Sequence, residues 1–313
     1  MPLHPEIRGF LEKVAELNLP AIQTLSPAEA RAQMEQTAAA RNNDPTPVAN
    51  VEALRATGPH GDIPLRLYRA STSSEPQPLL VYFHGGGHVI GSLDTHDAIA
   101  RNLCAGAGCA VASVDYRMGP EHKFPAAYDD CVAATRWLAD NAGELGFDTN
   151  RIAVGGDSAG GNLAAVVALN ARDEGGPALC YQLLVYPVTD YRCSSGSYER
   201  YATGYGVLEA QTMRWFQGHY LASEEDQSDW RASPLLTASL SNLPAAMVMT
   251  AECDVLHDEG VAYADALKKA GNQATHVECA GMIHGFFGLA PTISSAVQAQ
   301  ATAASALREA FGQ

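Results

Sequence analysis

The chain has 313 residues, 47% hydrophobic and 18% charged, an ordinary globular composition that excludes wholesale disorder. A formal net charge of −15 leaves nucleic acid no electrostatic foothold. No apolar stretch approaches the roughly 20 residues that cross a bilayer. Glu6, Arg8, Glu12 and Lys13 break up the amino-terminal stretch where a signal peptide needs an unbroken apolar core. The seven cysteines are scattered with no C-x-x-C pair, which suits reduced thiols and implies no metal site. The expectation is a soluble, cytoplasmic protein without stable membrane insertion.

In chain order, residues 1–48 predict two amphipathic helices, at about 5–17 and 27–41. Ser26 is placed to cap the second and Pro27 to begin it. "NVEALRA" (50–56) and "IPLRLYRA" (63–70) flank a "TGPHGD" turn and read as a hairpin. "PLLVYFHG" (78–85) and "CAVASVDY" (109–116) follow as strands, then a helix within 124–142 and a strand at 151–156. A helix at 158–175 leads to strands at 180–187, 245–251 and 275–281. Helices at about 259–270 and 293–311 come after the last two strands. Eight strands, the later ones separated by helices, predict an α/β fold: a mostly parallel sheet with helices on both faces.

Two regions stand outside this alternation: residues 1–48 and the segment 188–230. The second holds eight aromatic residues, and an insertion of that length usually carries function. Both read as one helical cap over the carboxyl edge of the sheet, where ligands bind in such folds. The expected division is 1–48 and 188–230 for the cap, and 49–187 and 231–313 for the core.

Three motifs carry chemistry. Gly156-Asp157-Ser158-Ala159-Gly160 fits G-x-S-x-G at the passage from strand to helix, where a sharp turn lifts a nucleophilic serine clear of the backbone. His84-Gly85-Gly86-Gly87 follows a strand directly, as loops that donate N–H groups to an oxyanion do. A serine also needs an imidazole to take its proton and a carboxylate to orient that imidazole, in the order Ser, acid, His. Of the histidines after Ser158, His219 falls in the insertion, His276 at a strand start, and His257 beside the candidate acids. His284 lies just beyond the last strand and is the expected base. Asp254, at the end of the preceding strand, is the expected acid; Asp258 reads as a helix cap and Glu252 as a weaker competitor.

With these motifs and "DYRMGPEHKFPAAYDD" in order, the sequence resembles the bacterial hormone-sensitive-lipase family (family IV) of α/β-hydrolase carboxylesterases. The resemblance implies an α/β-hydrolase fold, Ser158, Asp254 and His284 as a triad, and Gly86, Gly87 and Ala159 as oxyanion donors. It implies hydrolysis of short- to medium-chain acyl esters of small molecules without a cofactor, and leaves a homodimer open. The departures are Val255-Leu256-His257 where Pro-Leu-Arg is common, Gly119 for alanine, and His88 for an aromatic residue. His88 is expected either to touch substrate or to sit as a polar rim residue. Tyr205, Trp215 and Phe216 are the expected cap contacts to substrate, and Asp157 a buttress of the serine turn. Two alternatives stand beside ester hydrolysis. One is a non-catalytic ligand-binding protein on the same scaffold; the other is a hydrolase of amides, lactones or acetylated substrates.

Overall fold

The computed structural model describes residues 3–41 and 44–313. Two helices, α1 (Pro5–Glu16) and α2 (Pro27–Arg41), come first. Pro27 begins α2 and Ser26 caps it, as the sequence predicts, and Ser26 and Glu29 close a reciprocal capping box there. Then follow β1 (Asn50–Gly58), β2 (Gly61–Arg69), β3 (Gln77–Phe83), α3 (Asp97–Ala107), β4 (Ala110–Val114), α4 (Ala126–Asp140) and α5 (Ala142–Leu145). The second half comprises β5 (Phe147–Asp157), α6 (Ala159–Asp173), β6 (Leu179–Val185), α7 (Ser197–Arg200), α8 (Ala210–Tyr220), β7 (Ala245–Cys253), α9 (His257–Lys269), β8 (Ala274–Ile283) and α10 (Ser294–Ala310).

The strands form one eight-stranded sheet in the order β1-β2-β4-β3-β5-β6-β7-β8. The β1–β2 and β2–β4 pairs are antiparallel and every other pair is parallel. Parallel strands covered on both faces read as continuous apolar runs. Accordingly, every residue of β3 and β4 is buried, whereas β1 alternates at the sheet's edge. Side chains of the central strands alternate between two cores. Leu79, Val81, Phe83, Ile152, Val154 and Val248 meet α4, α6 and α9 on one face. Leu80, Tyr82, Ala153, Leu183 and Met249 meet α3 and α10 on the other. Among the described residues, no helix is long and apolar enough to cross a membrane.

All eight predicted strands are present. At 97–107, where the sequence pattern marks no helix, α3 forms. Asp258, expected to cap α9, does not do so. The helix begins at His257 after Leu256, so Asp258 lies inside the first turn, bonded to Arg200 and His257.

The 188–230 insertion packs on the α6 face, contributing Val188, Tyr191, Tyr198, Met213, Phe216 and Tyr220 to that core. Its two ends are held by one side chain. Asn162 of α6, fully buried, donates from Nδ2 to the carbonyls of Val188 (2.8 Å) and Ala232 (2.7 Å). Replacing it strands two buried carbonyls, each costing about 1–3 kcal/mol. Asn162→Ala is therefore expected to lower stability by about 3 kcal/mol in denaturant melts and to increase proteolytic nicking within 188–230.

Candidate active site

At the carboxyl edge the chain repeats one device: a functional residue follows the last residue of a parallel strand. Ser158 follows β5, Asp254 follows β7 and His284 follows β8. Cys253 of β7 pairs with Ile283 of β8, which sets Asp254 and His284 side by side. Asp254 Oδ2 lies 2.6 Å from His284 Nδ1, and His284 Nε2 lies 2.9 Å from Ser158 Oγ. A carboxylate only accepts, so Nδ1 carries the proton and Nε2 accepts from the serine hydroxyl. The second Asp254 oxygen takes the Leu256 N–H at 3.0 Å, which fixes the carboxylate plane. All three side chains are buried, with Ser158 and His284 retaining slight exposure.

The serine turn is strained. Ser158 has φ 58° and ψ −119°, outside the space an L residue prefers, at a typical cost of about 1–3 kcal/mol. A Cβ on Gly160 would collide with the Phe83 carbonyl, and one on Gly156 would collide with both Phe83 and Gly160. The two glycines thus let the start of α6 press against the end of β3. Asp157 locks the same junction. It accepts from Tyr82 Oη (2.6 Å) and from the Gly85 N–H (3.1 Å), with His96 Nε2 at 3.5 Å. Burial alone would raise its pKa, but His96 and the Tyr82 hydroxyl outweigh burial and hold it below the usual carboxylate value. This is the buttress expected of it.

The glycine loop leaves β3 with three left-handed residues in succession: Gly86 (φ 120°), Gly87 (φ 60°) and His88 (φ 59°). Among the described residues, no acceptor within the protein faces the amides of Gly86, Gly87 or Ala159. Ala159 opens α6, so the helix's positive end lies directly beside Ser158. The array can therefore draw the proton from the Ser158 hydroxyl through His284.

The other candidates divide. Phe216 of α8 lies directly over Gly87, where an added Cβ would strike its ring. Trp215 is half-buried and packs edge-on against Phe216 and His219; Tyr205 packs edge-on against Tyr201. His88 is not a rim residue. It is fully buried, stacked on Tyr220 at 3.9 Å, with Nδ1 2.7 Å from Tyr191 Oη. Those partners lie over a hundred residues away, so the sequence near His88 gives no sign of them. The remaining histidines after Ser158 are engaged elsewhere: His257 with Asp258 and Glu278, His276 with Thr250, and His219 against Trp215. Glu252 accepts the Gly281 N–H at 2.7 Å and stands outside the array. A cleft of about 800 Å³ lies at the far end of α6, lined by Arg136, Asn170 and Arg172, away from Ser158.

Sequence reasoning missed Tyr186, which follows β6 as Ser158 follows β5. Its ring lies 4.6 Å from the His284 ring. The strand-end rule that found the other three residues points to it as well.

The family model describing the alpha/beta hydrolase fold matches residues 80–288. The chain belongs to that family. This α/β hydrolase is 38% identical to an ethyl acetate hydrolase of Pseudomonas putida, over 99% of both chains. It is 43% identical to carboxylesterase NlhH of Mycobacterium tuberculosis, over 80% of this chain and 79% of that one. Among solved structures, an ester-hydrolase from the metagenome of Lake Arreo, complexed with a bipyridine phosphonate derivative, superposes with a TM-score of 0.95. It is 41% identical, covering 99% of this chain and 100% of that one. The hormone-sensitive-lipase likeness read from the motifs agrees with these relatives.

Burial drives the His84 and His88 pKa values down to about 3, with a neighbouring histidine adding to each shift, so both rings are neutral in the folded α/β hydrolase. The unfolded chain takes up these protons near pH 6.5, so stability is lost as pH falls from about 6.5 towards 3. At pH 5 the linkage is on the order of 2 kcal/mol per histidine. Glu259, pushed up by burial, titrates in the opposite sense in native and variant alike. Thermal melts at pH 7 and pH 5 should therefore show a smaller acid-induced drop for His88→Asn than for the native protein, by several degrees.

Proposed function

We propose that this chain hydrolyses short- to medium-chain carboxylic esters through an acyl-enzyme on Ser158. The observation that carries the reading is the continuous hydrogen-bonded array from Asp254 through His284 to Ser158. Ester hydrolysis as the reaction class rests on the family and on relatives named carboxylesterase and ethyl acetate hydrolase.

In the proposed sequence, His284 Nε2 takes the hydroxyl proton as Ser158 Oγ attacks the ester carbonyl. Asp254, buried and bonded to Nδ1, stabilises the resulting imidazolium. The amides of Gly86, Gly87 and Ala159 receive the oxyanion, each worth about 3 kcal/mol of transition-state stabilisation. His284 then protonates the departing alcohol. A water activated by the same nitrogen releases the acid and regenerates the serine.

We assign residues 1–48 and 188–230 to the cap. Phe216 over Gly87, and the Arg31 guanidinium bonded to the Val89 carbonyl at 2.8 Å, support this assignment. Tyr205 and Trp215 stay in the proposal as contacts further out. Seven free thiols suit a reducing cytoplasm. β8 closes the sheet with its first half only part-buried, which suits edge pairing of two copies; light scattering reads that outcome.

The test is turnover of p-nitrophenyl esters from acetate to palmitate. Activity should peak at short chains, and Ser158→Ala should lose at least ~10³-fold in kcat. A folded native protein inert to the whole series would overturn the proposal. Removing the ring over the glycine loop should relax the length limit. Phe216→Ala is expected to raise kcat/KM for decanoate relative to butyrate several-fold.

A further inference from the structure

His88 lies at the crossing of three parts of the molecule, and no step of the proposed reaction uses it. Its backbone holds a left-handed conformation that a non-glycine residue adopts only under constraint (φ 59°). Its carbonyl accepts the Gly119 N–H at 2.9 Å. Its two closest ring partners belong to the insertion: Tyr220 stacks face to face at 3.9 Å and 10°, and Tyr191 Oη meets Nδ1 at 2.7 Å, with Tyr116 of the core further off at 6.4 Å. The ring also engages the Ala159 backbone at the start of α6. The side chain thus stands between the glycine turn and the start of α6, and its closest ring contacts come from 188–230. A residue placed only to fill space would not need a directional bond to a tyrosine of the insertion.

We propose that His88 is a positioning residue that fastens the Gly86-Gly87 turn to the 188–230 insertion, so that the two amides are aligned only while the insertion is docked. The proposal rests on the assignment of those amides to the oxyanion. The Tyr191 bond sets the direction of the imidazole, and the Tyr220 face sets its plane. With the ring fixed, the left-handed backbone at His88 is fixed, and the preceding Gly87 N–H cannot swing. Arg31 of α2, bonded to the Val89 carbonyl, holds the next residue of the same turn.

The experiment compares Tyr191→Phe, His88→Leu and His88→Asn with the native protein. Each is assayed for kcat and KM on p-nitrophenyl butyrate, for melting temperature, and for affinity towards two ketones. A trifluoromethyl ketone forms a tetrahedral adduct on serine and demands an aligned oxyanion site; its methyl ketone counterpart stays planar. Tyr191→Phe, which keeps the ring and loses the hydroxyl, should lower kcat about 10-fold with KM within twofold. Its trifluoromethyl ketone affinity should fall by the same factor, and the methyl ketone should be unaffected. His88→Leu should lose more. His88→Asn, whose amide can meet the Tyr191 hydroxyl, should recover most of that loss. If His88→Leu does not fold, Tyr191→Phe decides alone. Unchanged kcat and adduct affinity in Tyr191→Phe would overturn the proposal, as would losses confined to KM and melting temperature. A native protein that binds both ketones alike would instead overturn the oxyanion assignment, and this proposal with it.

Discussion

The register of the parallel strands is the constraint on which the site depends. Asp157 pairs with Val185, the last residues of β5 and β6, and Cys253 pairs with Ile283, the last residues of β7 and β8, so each neighbouring pair ends in step. A parallel strand delivers its next residue just past the last paired position, with Ser158 and Tyr186 still donating their N–H groups to the neighbouring strand, and there the chain can turn sharply. Ser158, Tyr186, Asp254 and His284 all occupy that position. A slip of one residue in β8 would turn the His284 side chain to the other face and leave Asp254 without a partner. The continuous burial of these strands is therefore a requirement of the chemistry as much as of the core.

Strain at the serine is offset by contacts that only small residues permit. Gly156 and Gly160 let two backbones touch, and Asp157 ties that contact to the start of the glycine loop through the Gly85 N–H. The nucleophile turn and the amide turn are thus one structural unit, not two loops that happen to meet. The insertion joins the same unit from above. Asn162 holds both of its ends, Glu259 accepts the N–H groups of Thr189 and Asp190, and Phe216 lies on Gly87. The insertion that packs on the Gly87 turn is thereby anchored to the helix that begins beside the serine.

Much of this was legible in the sequence because it obeys local rules. Apolar runs bounded by glycine mark the strands. The residue after each run is a strand end, and a serine set between glycines there marks a turn tight enough to lift its hydroxyl free. The rest depends on partners distant in the chain. His88 follows three glycines in a stretch that looks like an exposed turn, and only Tyr191 and Tyr220, folding back from the insertion, bury it. Arg31 has no local signature at all, since its partners Val89, Gly119 and Glu121 lie far along the chain. Asp258 has the composition of a helix cap, but α9 starts one residue earlier, and the side chain turns to Arg200 and His257 instead.

Several histidines crowd the edge of this sheet, and burial separates their roles. His84 stacks on Tyr116 and His88 on Tyr220, both without exposure, and desolvation keeps both rings uncharged. Neither can act as a base that cycles through imidazolium near neutral pH. His96 faces Asp157, which is already occupied by Tyr82 and the Gly85 amide. Among the described residues, His284 alone combines a carboxylate on one nitrogen, a serine hydroxyl on the other and a remnant of solvent access. An imidazole must gain a charge and lose it again in every turnover. A base that completes such a cycle needs a carboxylate partner and an open side from which water can arrive, and among the described histidines the one at the end of β8 has both.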